Sequence, residues 1–414
     1  MQNKMTNLPL GWEVKKLGDI VKLKNGFAFK SNLFCNDGIP IIRIKNIQNE
    51  NIILDDLVFC NPNDYKNSLD NYLIFKNDIL IAMSGATTGK IGIYNLNDKA
   101  YLNQRIGLLR IDNNILRKYV FWFLYCNSEQ NLANAFGAAQ PNLSTEQIHN
   151  IEIPIPPLQE QERIVGILDE SFANIDESIK ILEQDLLNLD ELMQSALQKA
   201  FNPLKDNSKG NYQLPQGWEW KSLGDIAVTS SGGTPSRNKK EYWENGTIKW
   251  LKSGELNDGY INFIEENITQ EAIENSSAKI FPKGTLLIAM YGATAGKLGI
   301  LDLYSATNQA ICAFLHKDNK NIKFFEKFLF YFLFFIRDKI IKDSFGGAQP
   351  NISQTYIKNL QIPLPPLQEQ EQIASYLDEL SLNIKDLKQN YKAQIKNLQE
   401  LKKSLLDKAF KGRL

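Results

Sequence analysis

The residue types that do covalent chemistry are few in this chain, and their spacing argues against a catalytic centre. Only two histidines occur, His149 and His316, and no nucleophile–histidine–acid set assembles around them. The four cysteines (Cys35, Cys60, Cys126 and Cys312) include no CxxC pair. A zinc site is therefore not expected, and the thiols are expected to be reduced. Two glycine-rich segments, GATTGK at 85–90 and GATAGK at 292–297, raise the question of a phosphate loop. A Walker A loop needs G-x-x-x-x-G-K-[ST], with the hydroxyl on magnesium. Here the spacing is one residue short, and Ile91 or Leu298 follows the lysine. Both segments are expected to be strand-connecting turns, whose amides together with Lys90 or Lys297 could meet a DNA phosphate.

Asn61-Pro62-Asn63-Asp64-Tyr65 approaches the Asn-Pro-Pro-Tyr loop of enzymes that methylate flipped bases. The second proline is missing, and no glycine-rich loop follows a strand where a methyl donor would bind. Acidic spacings of the kind nucleases use do not recur in the two halves. Recognition chemistry is better represented. Arginine is scarce, eight against 39 lysines, and the planar guanidinium suits bidentate contact with guanine, whereas lysine acts largely as a point charge on phosphate. Were the partner a DNA duplex, Arg43, Arg105, Arg110 and Arg237 would be the arginine candidates for contact with it, a structural role being the alternative for each. Lys45 joins them beside Arg43, and Lys239 and Lys240 beside Arg237 are expected to meet phosphates. Gln140 and Asn142, with Gln349 and Asn351, are polar candidates within repeated GAQPN-like segments, where a framework role is equally in play.

These residues sit in a chain written twice. LPLGWEVKKLGDI at 8–20 returns as LPQGWEWKSLGDI at 214–226, and IAMSGATTGKIGI at 81–93 as IAMYGATAGKLGI at 288–300. Asn103-Gln104 returns as Asn308-Gln309, GAAQPNLS at 137–144 as GGAQPNIS at 346–353, and IPIPPLQEQE at 153–162 as IPLPPLQEQE at 362–371. LQKAF at 197–201 returns as LDKAF at 406–410. A period near half the chain length is far above that of solenoid repeats, so a whole two-part unit is duplicated.

Each unit has a globular and a helical part. Short apolar runs (Ile41–Ile44, Ile79–Met83, Ile106–Ile111) between Gly, Asn and Asp clusters predict strands and turns. The aromatic runs Tyr119–Cys126 and Phe328–Phe335 predict packed helices. After Pro156-Pro157 and Pro365-Pro366 no Gly-Pro punctuation stops a helix for roughly forty residues. Phe172, Ile175, Ile179, Leu182, Leu186, Leu189 and Met193 recur in steps of three and four. Leu377, Leu380, Ile384, Leu387, Tyr391, Leu398, Leu401 and Leu405 do likewise, with Gln394 interrupting. These are coiled-coil seams, and an antiparallel pair of helices is the simplest arrangement. The expected fold is α+β: two similar mixed α/β globular domains joined by two long antiparallel coiled-coil helices, with a pseudo-twofold internal repeat. The boundaries read as globular domain 1–157, central long helix 158–201, linker 202–210, globular domain 211–366 and C-terminal long helix 367–414.

Composition sets the frame. The chain has 414 residues and is 43% hydrophobic and 23% charged, a globular balance. Its net charge is zero, which argues against a uniformly basic nucleic-acid binder. The charge is segregated, however: residues 158–201 hold three basic and ten acidic side chains, and the remaining 370 residues hold 44 and 37. No apolar segment approaches the ~20 residues that span a bilayer, so a cytoplasmic protein without membrane partners is expected.

The repeated motifs, with SGGTPSR…EYW at 231–243 and the closing LDKAFKGRL, resemble the framework of the specificity subunit of type I restriction–modification enzymes over essentially the whole chain. The first half departs in having NGFAFKSNLF at 25–34 in place of a TPSR loop. The resemblance implies two target-recognition domains on double-stranded DNA, each reading one half of a bipartite site. It also implies that the helices fix the spacing and dock two methyltransferase subunits, joined in restriction assemblies by ATP-dependent translocase–nuclease subunits. No catalytic residue, metal or cofactor is expected in this chain; S-adenosylmethionine, ATP and magnesium would belong to the partners. The alternatives are a standalone DNA methyltransferase or nuclease, and a coiled-coil scaffold without DNA.

Overall fold

The computed structural model describes residues 8–48, 50–128, 142–201, 214–317, 323–344 and 351–414. The chain forms two compact units, residues 1–182 with 392–414 and residues 183–391. The expected linker 202–210 lies outside the described residues, as do Gln140 and Gln349.

In the first unit a six-stranded sheet runs Leu23–Asn25, Ile106–Leu109, Ile79–Ala82, Ile91–Ile93, Glu50–Ile52 and Ile47–Gln48. A four-stranded sheet runs Val58–Cys60, Ile39–Ile42, Ala100–Leu102 and Leu73–Ile74. Both are mixed: Glu50 and Asn51 pair in parallel with Gly92 and Ile93, and Tyr101 in parallel with Ile41. The second unit repeats the plan. Its five-stranded sheet runs Ala227–Ser231, Ile311–His316, Leu286–Ala289, Leu298–Leu301 and Gly259–Ile261, and its four-stranded sheet Asn267–Ile268, Ile248–Leu251, Ser305–Thr307 and Ile280–Phe281.

The central strands are apolar at every position because both faces are covered. Ile79 and Ile81 pack with the aromatic helix Asn114–Cys126, while Leu80 and Ala82 pack into a separate cluster with Ile42, Tyr94 and Leu102. Leu286 and Ile288 face the second aromatic helix, Glu326–Phe335, and Leu287 and Ala289 face away from it. Strict alternation, the usual strand signature, is lost where a sheet has no wet side.

Each aromatic helix is fastened to a long helix by one carboxylate. Asp169 takes Lys118 Nζ at 2.5 Å and Trp122 Nε1 at 2.8 Å. Asp378, at the equivalent place, takes Lys327 and the Tyr331 hydroxyl, the latter at 2.8 Å. Burial and that carboxylate push the Tyr331 hydroxyl pKa far up, so it remains a donor.

The long helices are Leu158–Phe201 and Leu367–Phe410. Within the first unit Lys402 meets Asp176 at 2.5 Å, and within the second Lys388 pairs with Asp190. Within that first unit Arg163 Nη2 also donates to Leu414 O at 3.1 Å, so contacts that move back from Asp176 to Arg163 move forward from Lys402 to Leu414, and the pair is antiparallel. Phe172 and Ile175 are buried and Ile179, Leu182, Leu186, Leu189 and Met193 partly so, as the heptads predict. In the second helix Leu377 and Ile384 are buried and Leu380, Tyr391, Leu398 and Leu405 partly buried. Two expected members are not in the seam: Leu387 is 39% exposed and Leu401 46%. Lys388 and Lys402 occupy those levels, with side chains only 27% and 13% exposed, and Ile395 takes the turn beside Gln394. A lysine stem packs as an aliphatic chain while its ammonium finds an acid, so apolarity alone misplaces the seam by one residue here.

Candidate nucleic-acid interface

In each unit the repeated motifs that lie far apart in sequence meet at one edge of the sheets. GATTGK is a tight hairpin turn between Ile79–Ala82 and Ile91–Ile93, closed by Gly89 N–H to Ala82 O at 2.8 Å and Thr88 N–H to Gly85 O at 3.1 Å. Gly85 and Gly89 have φ of +82° and +84°, which fixes glycine at both places. A strand follows where a nucleotide-binding loop would open a helix, so the turn is not a Walker A loop. GATAGK has the same geometry, with Gly296 N–H to Ala289 O at 2.9 Å.

Around this turn the other segments are stitched by backbone bonds. Met83 N–H donates to Arg105 O at 3.0 Å and Leu143 N–H to Met83 O at 2.7 Å, and Ser84 bridges Asn142. Gln104 N–H donates to Phe27 O at 2.9 Å, and the Thr87 hydroxyl to Ile44 O at 3.2 Å. In the second unit Met290 N–H donates to Ala310 O at 2.8 Å and Ile352 N–H to Met290 O at 2.7 Å, and Tyr291 bridges Asn351. Gln354 Nε2 reaches the Ser231 hydroxyl at 2.5 Å, and Thr234 bonds Gln309. Gly26 and Gly232 let the first loop press on the Asn-Gln turn: a Cβ at either would lie 2.1 Å from Asn103 O or Thr307 O.

The candidate residues distribute unequally over this edge. Asn142 and Asn351 lie in it through the bridges above and are exposed. Arg105 is exposed in the Asn103–Ile106 turn, Lys90 and Lys297 close the two glycine turns, and none of the three has an ion-pair partner among the described residues. Arg43 and Lys45 share Asp56, and Arg43 Nη2 also donates to Asp56 O at 2.5 Å. Burial lowers the Arg43 pKa, and its Nε has no partner in the described structure. Lys240 is 85% exposed, beside Glu244 at 3.9 Å.

Three candidates are committed internally. Arg110 forms a forked pair with Asp78, Nε to Oδ1 at 2.8 Å and Nη2 to Oδ2 at 2.5 Å, and also reaches Leu73 O at 3.0 Å. Asp78 is nearly fully buried, so Arg110 neutralises a core carboxylate and its pKa rises with that bond. Arg237 lies 3.7 Å from the Trp243 ring and 4.8 Å from Trp250, with Nη1 2.7 Å from Glu266. Lys252 pairs with the same Glu266 at 2.7 Å. Burial raises the Glu266 pKa, but the Lys252 and Arg237 bonds outweigh it and hold the carboxyl below its usual range. Trp243 Nε1 donates to Ser236 O and Trp250 Nε1 to Gly233 O, both at 3.0 Å, so the SGGTPSR loop is laid down on a tryptophan platform that Arg237 completes. Lys239 Nζ donates to the Tyr242 hydroxyl at 2.9 Å.

Sequence reasoning missed several polar groups here. Ser84 Oγ and Asn308 Oδ1 are buried at this edge without a hydrogen-bond partner in the described structure, and an acceptor or hydroxyl left so is costly unless something else meets it. The repeated Asn-Gln pair was the available signal. Both histidines are structural: His149 Nε2 accepts Leu23 N–H at 3.0 Å, and His316 stacks on Phe324 with ring centroids 4.3 Å apart. Among the described residues no group of three or more His, Cys, Asp or Glu is placed to hold a metal, and no helix is long and apolar enough to cross a membrane.

Comparison with known proteins agrees with this duplicated plan. The family model "Type I restriction modification DNA specificity domain" matches twice, over residues 9–186 and 215–397. The StySPI type I restriction enzyme specificity subunit of Salmonella potsdam is 28% identical, over 98% of this chain and 90% of its own. The MjaVIII specificity subunit of Methanocaldococcus jannaschii is 26% identical, over 98% and 94%. The fold matches that of the HsdS subunit of Thermoanaerobacter tengcongensis, with a TM-score of 0.62 at 22% identity over 100% of both chains. A chain from a solved type I restriction–modification assembly gives 0.73 at 23% identity, over 99% of this chain and 100% of its own.

Proposed function

This chain belongs to the type I restriction–modification DNA specificity family, with two copies of the family domain, and from that premise we propose that it is the sequence-specific DNA-recognition subunit of a type I complex. Each globular part reads one half of a bipartite duplex site. The observation that carries this is the repeated edge at which the glycine turn, the Asn-Gln turn and the Asn142 or Asn351 segment converge in both units. Two copies of one reading surface suit a two-part target, and the loops that differ between them, NGFAFKSNLF and SGGTPSR, leave room for two different half-sites. Arg105, Lys90 and Asn142 in the first unit, and Lys297, Lys240 and Asn351 in the second, are the contacts we assign. Arg43 and Lys45 remain candidates once DNA phosphate competes with Asp56. Arg110 serves the core through Asp78, and Arg237 and Lys239 shape their loop.

The chain performs no chemistry itself in this reading. Two methyltransferase subunits supply S-adenosylmethionine chemistry, restriction subunits supply ATP- and magnesium-dependent translocation and cleavage, and the antiparallel helices set the spacing between half-sites. The domain boundaries 1–157, 158–201, 211–366 and 367–414 divide reading from spacing in this scheme. Copurification with a methyltransferase subunit should give methylation at one bipartite sequence in a mapped genome. Methylation by this chain alone would sink the proposal.

A further inference from the structure

The loops NGFAFKSNLF and SGGTPSR leave the interface edge alike but are held by unlike means. Phe27 N–H donates to Leu102 O at 2.8 Å, and Gly233 N–H to Thr307 O at 2.9 Å, the same bond in both units. Beyond it, the first loop rests on an aromatic cluster. Phe27 lies 5.7 Å from Tyr65 and 5.1 Å from Tyr72, and Phe29 lies 5.6 Å from Tyr65 and 5.7 Å from Tyr101, between ring centroids. In the second loop the equivalent residues are Gly233 and Pro235, and Arg237 with the two tryptophans does the anchoring.

On these different supports both loops fold into the same turn. Leu33 N–H donates to Lys30 O at 3.0 Å, and Lys239 N–H to Ser236 O at 3.2 Å. From Gly26 and Gly232 onward the two loops align without a gap, so the turns coincide, and the third residue of each is asparagine, Asn32 and Asn238. Both are exposed, and neither side chain has a hydrogen-bond partner among the described residues. Asparagine favours turns because its side chain bonds backbone two residues on, or because it tolerates the left-handed region. Neither reason holds here, since no such bond forms and neither residue has a positive φ. Packing does not explain the repetition either, because the anchors differ. Lys30 opens the first turn and Lys240 follows the second, both exposed, so each crown carries a cation that suits a polyanion.

We propose that Asn32 and Asn238 are equivalent base-reading residues, each meeting an adenine in the major groove of its own half-site. The side-chain Oδ1 accepts from adenine N6–H while Nδ2 donates to N7, the two-bond match of a carboxamide to this base. The inference rests on the DNA-recognition role proposed above. It adds that the two half-sites have an adenine in common at the place the turns reach, although the loops around each asparagine differ.

The test uses the full chain reconstituted with methyltransferase subunits, on duplexes substituted one base pair at a time through both half-sites. Asn32→Ala should flatten the preference at one A·T pair of one half-site, and Asn238→Ala at one A·T pair of the other. Each loss should be roughly 5- to 140-fold in discrimination, the worth of one bidentate contact. A target carrying 7-deazaadenine at that position lacks the N7 acceptor. It should weaken the parent complex and leave the matching alanine variant unaffected, a readout that does not touch the fold of this chain. A loss spread evenly over all substitutions makes the asparagines framework or phosphate contacts and overturns the inference. So does a preference lost at a G·C pair, or no change in either variant, and a localised loss for only one of the two overturns their equivalence. If the parent complex binds every duplex alike, the DNA-recognition role fails first and this inference falls with it.

Discussion

Replacing Arg237 with alanine separates a loop anchor from a base reader. The guanidinium lies 3.7 Å from Trp243 and 2.7 Å from Glu266, and its side chain is 51% exposed. A cation–π contact at such a half-exposed site is worth ~0.5–1 kcal/mol, and an exposed ion pair ~0.2–1 kcal/mol. Glu266 keeps Lys252, so no carboxylate is stranded. The loss is therefore about 1–2 kcal/mol of the energy that lays the loop on its platform. At 1.4 kcal/mol per tenfold, affinity for DNA should fall by roughly 5- to 30-fold, and equally for every base substitution in the second half-site. Arg237→Lys should restore little, because the flat stack is what is lost. The assay is binding of the reconstituted complex to a panel of substituted targets, with tryptophan fluorescence reporting Trp243 and Trp250. A loss confined to one base pair refutes the anchor argument and returns Arg237 to direct reading. Unchanged affinity with unchanged fluorescence refutes both.

Lys90→Ala and Lys297→Ala should each weaken all sites similarly and lower the slope of log affinity against log salt by about one, measured in a salt titration. Lys402→Glu places a carboxylate in the seam beside Asp176 and Glu50; discounted for the half-exposed Asp176, it should cost ~2–4 kcal/mol, against at most ~0.5 kcal/mol for exposed Lys392→Glu, read as a lowered unfolding transition. Seven residues inserted after Leu182 and seven after Tyr391 keep both heptads and add ~10 Å of helix. The recognised spacer should then lengthen by up to about three base pairs at ~3.4 Å each with both half-sites retained, and an unchanged spacer in an active complex counts against the helices as a ruler. A fragment of residues 1–205 should stay monomeric in sedimentation, because Ile179 and Met193 stand where the second long helix has Lys388 and Lys402, leaving Asp176 and Asp190 of a second copy without cations. A stable dimer of that fragment would show that the seam tolerates the uncompensated acids.

The sequence by itself determined the duplication, the long helices and the packed aromatic helices. Each is a matter of local periodicity or of repetition: Phe172 to Met193 recur in steps that only a helix face satisfies, and the Pro-Pro pairs mark where each long helix begins. The repeat also held a signal for the second seam, since Lys402 aligns with Met193 while Leu401 aligns with Leu192, itself 47% exposed. Hydrophobicity pointed to the leucine; only the packed helices show that a lysine stem fills the place and that an acid on the other helix receives its charge. The candidate interface was legible as motifs and illegible as a surface. GATTGK, Asn103-Gln104 and Asn142 are brought together by strand pairings up to tens of residues apart in sequence, and nothing local encodes which strands pair. The same limit governs the arginines. Arg105 and Arg110 lie five residues apart, and only the burial of Asp78 at 3% exposure decides that Arg110 belongs to the core while Arg105 faces solvent. Secondary structure answers to neighbours along the chain, whereas the partner of a charge is settled by residues that tertiary packing alone brings within reach.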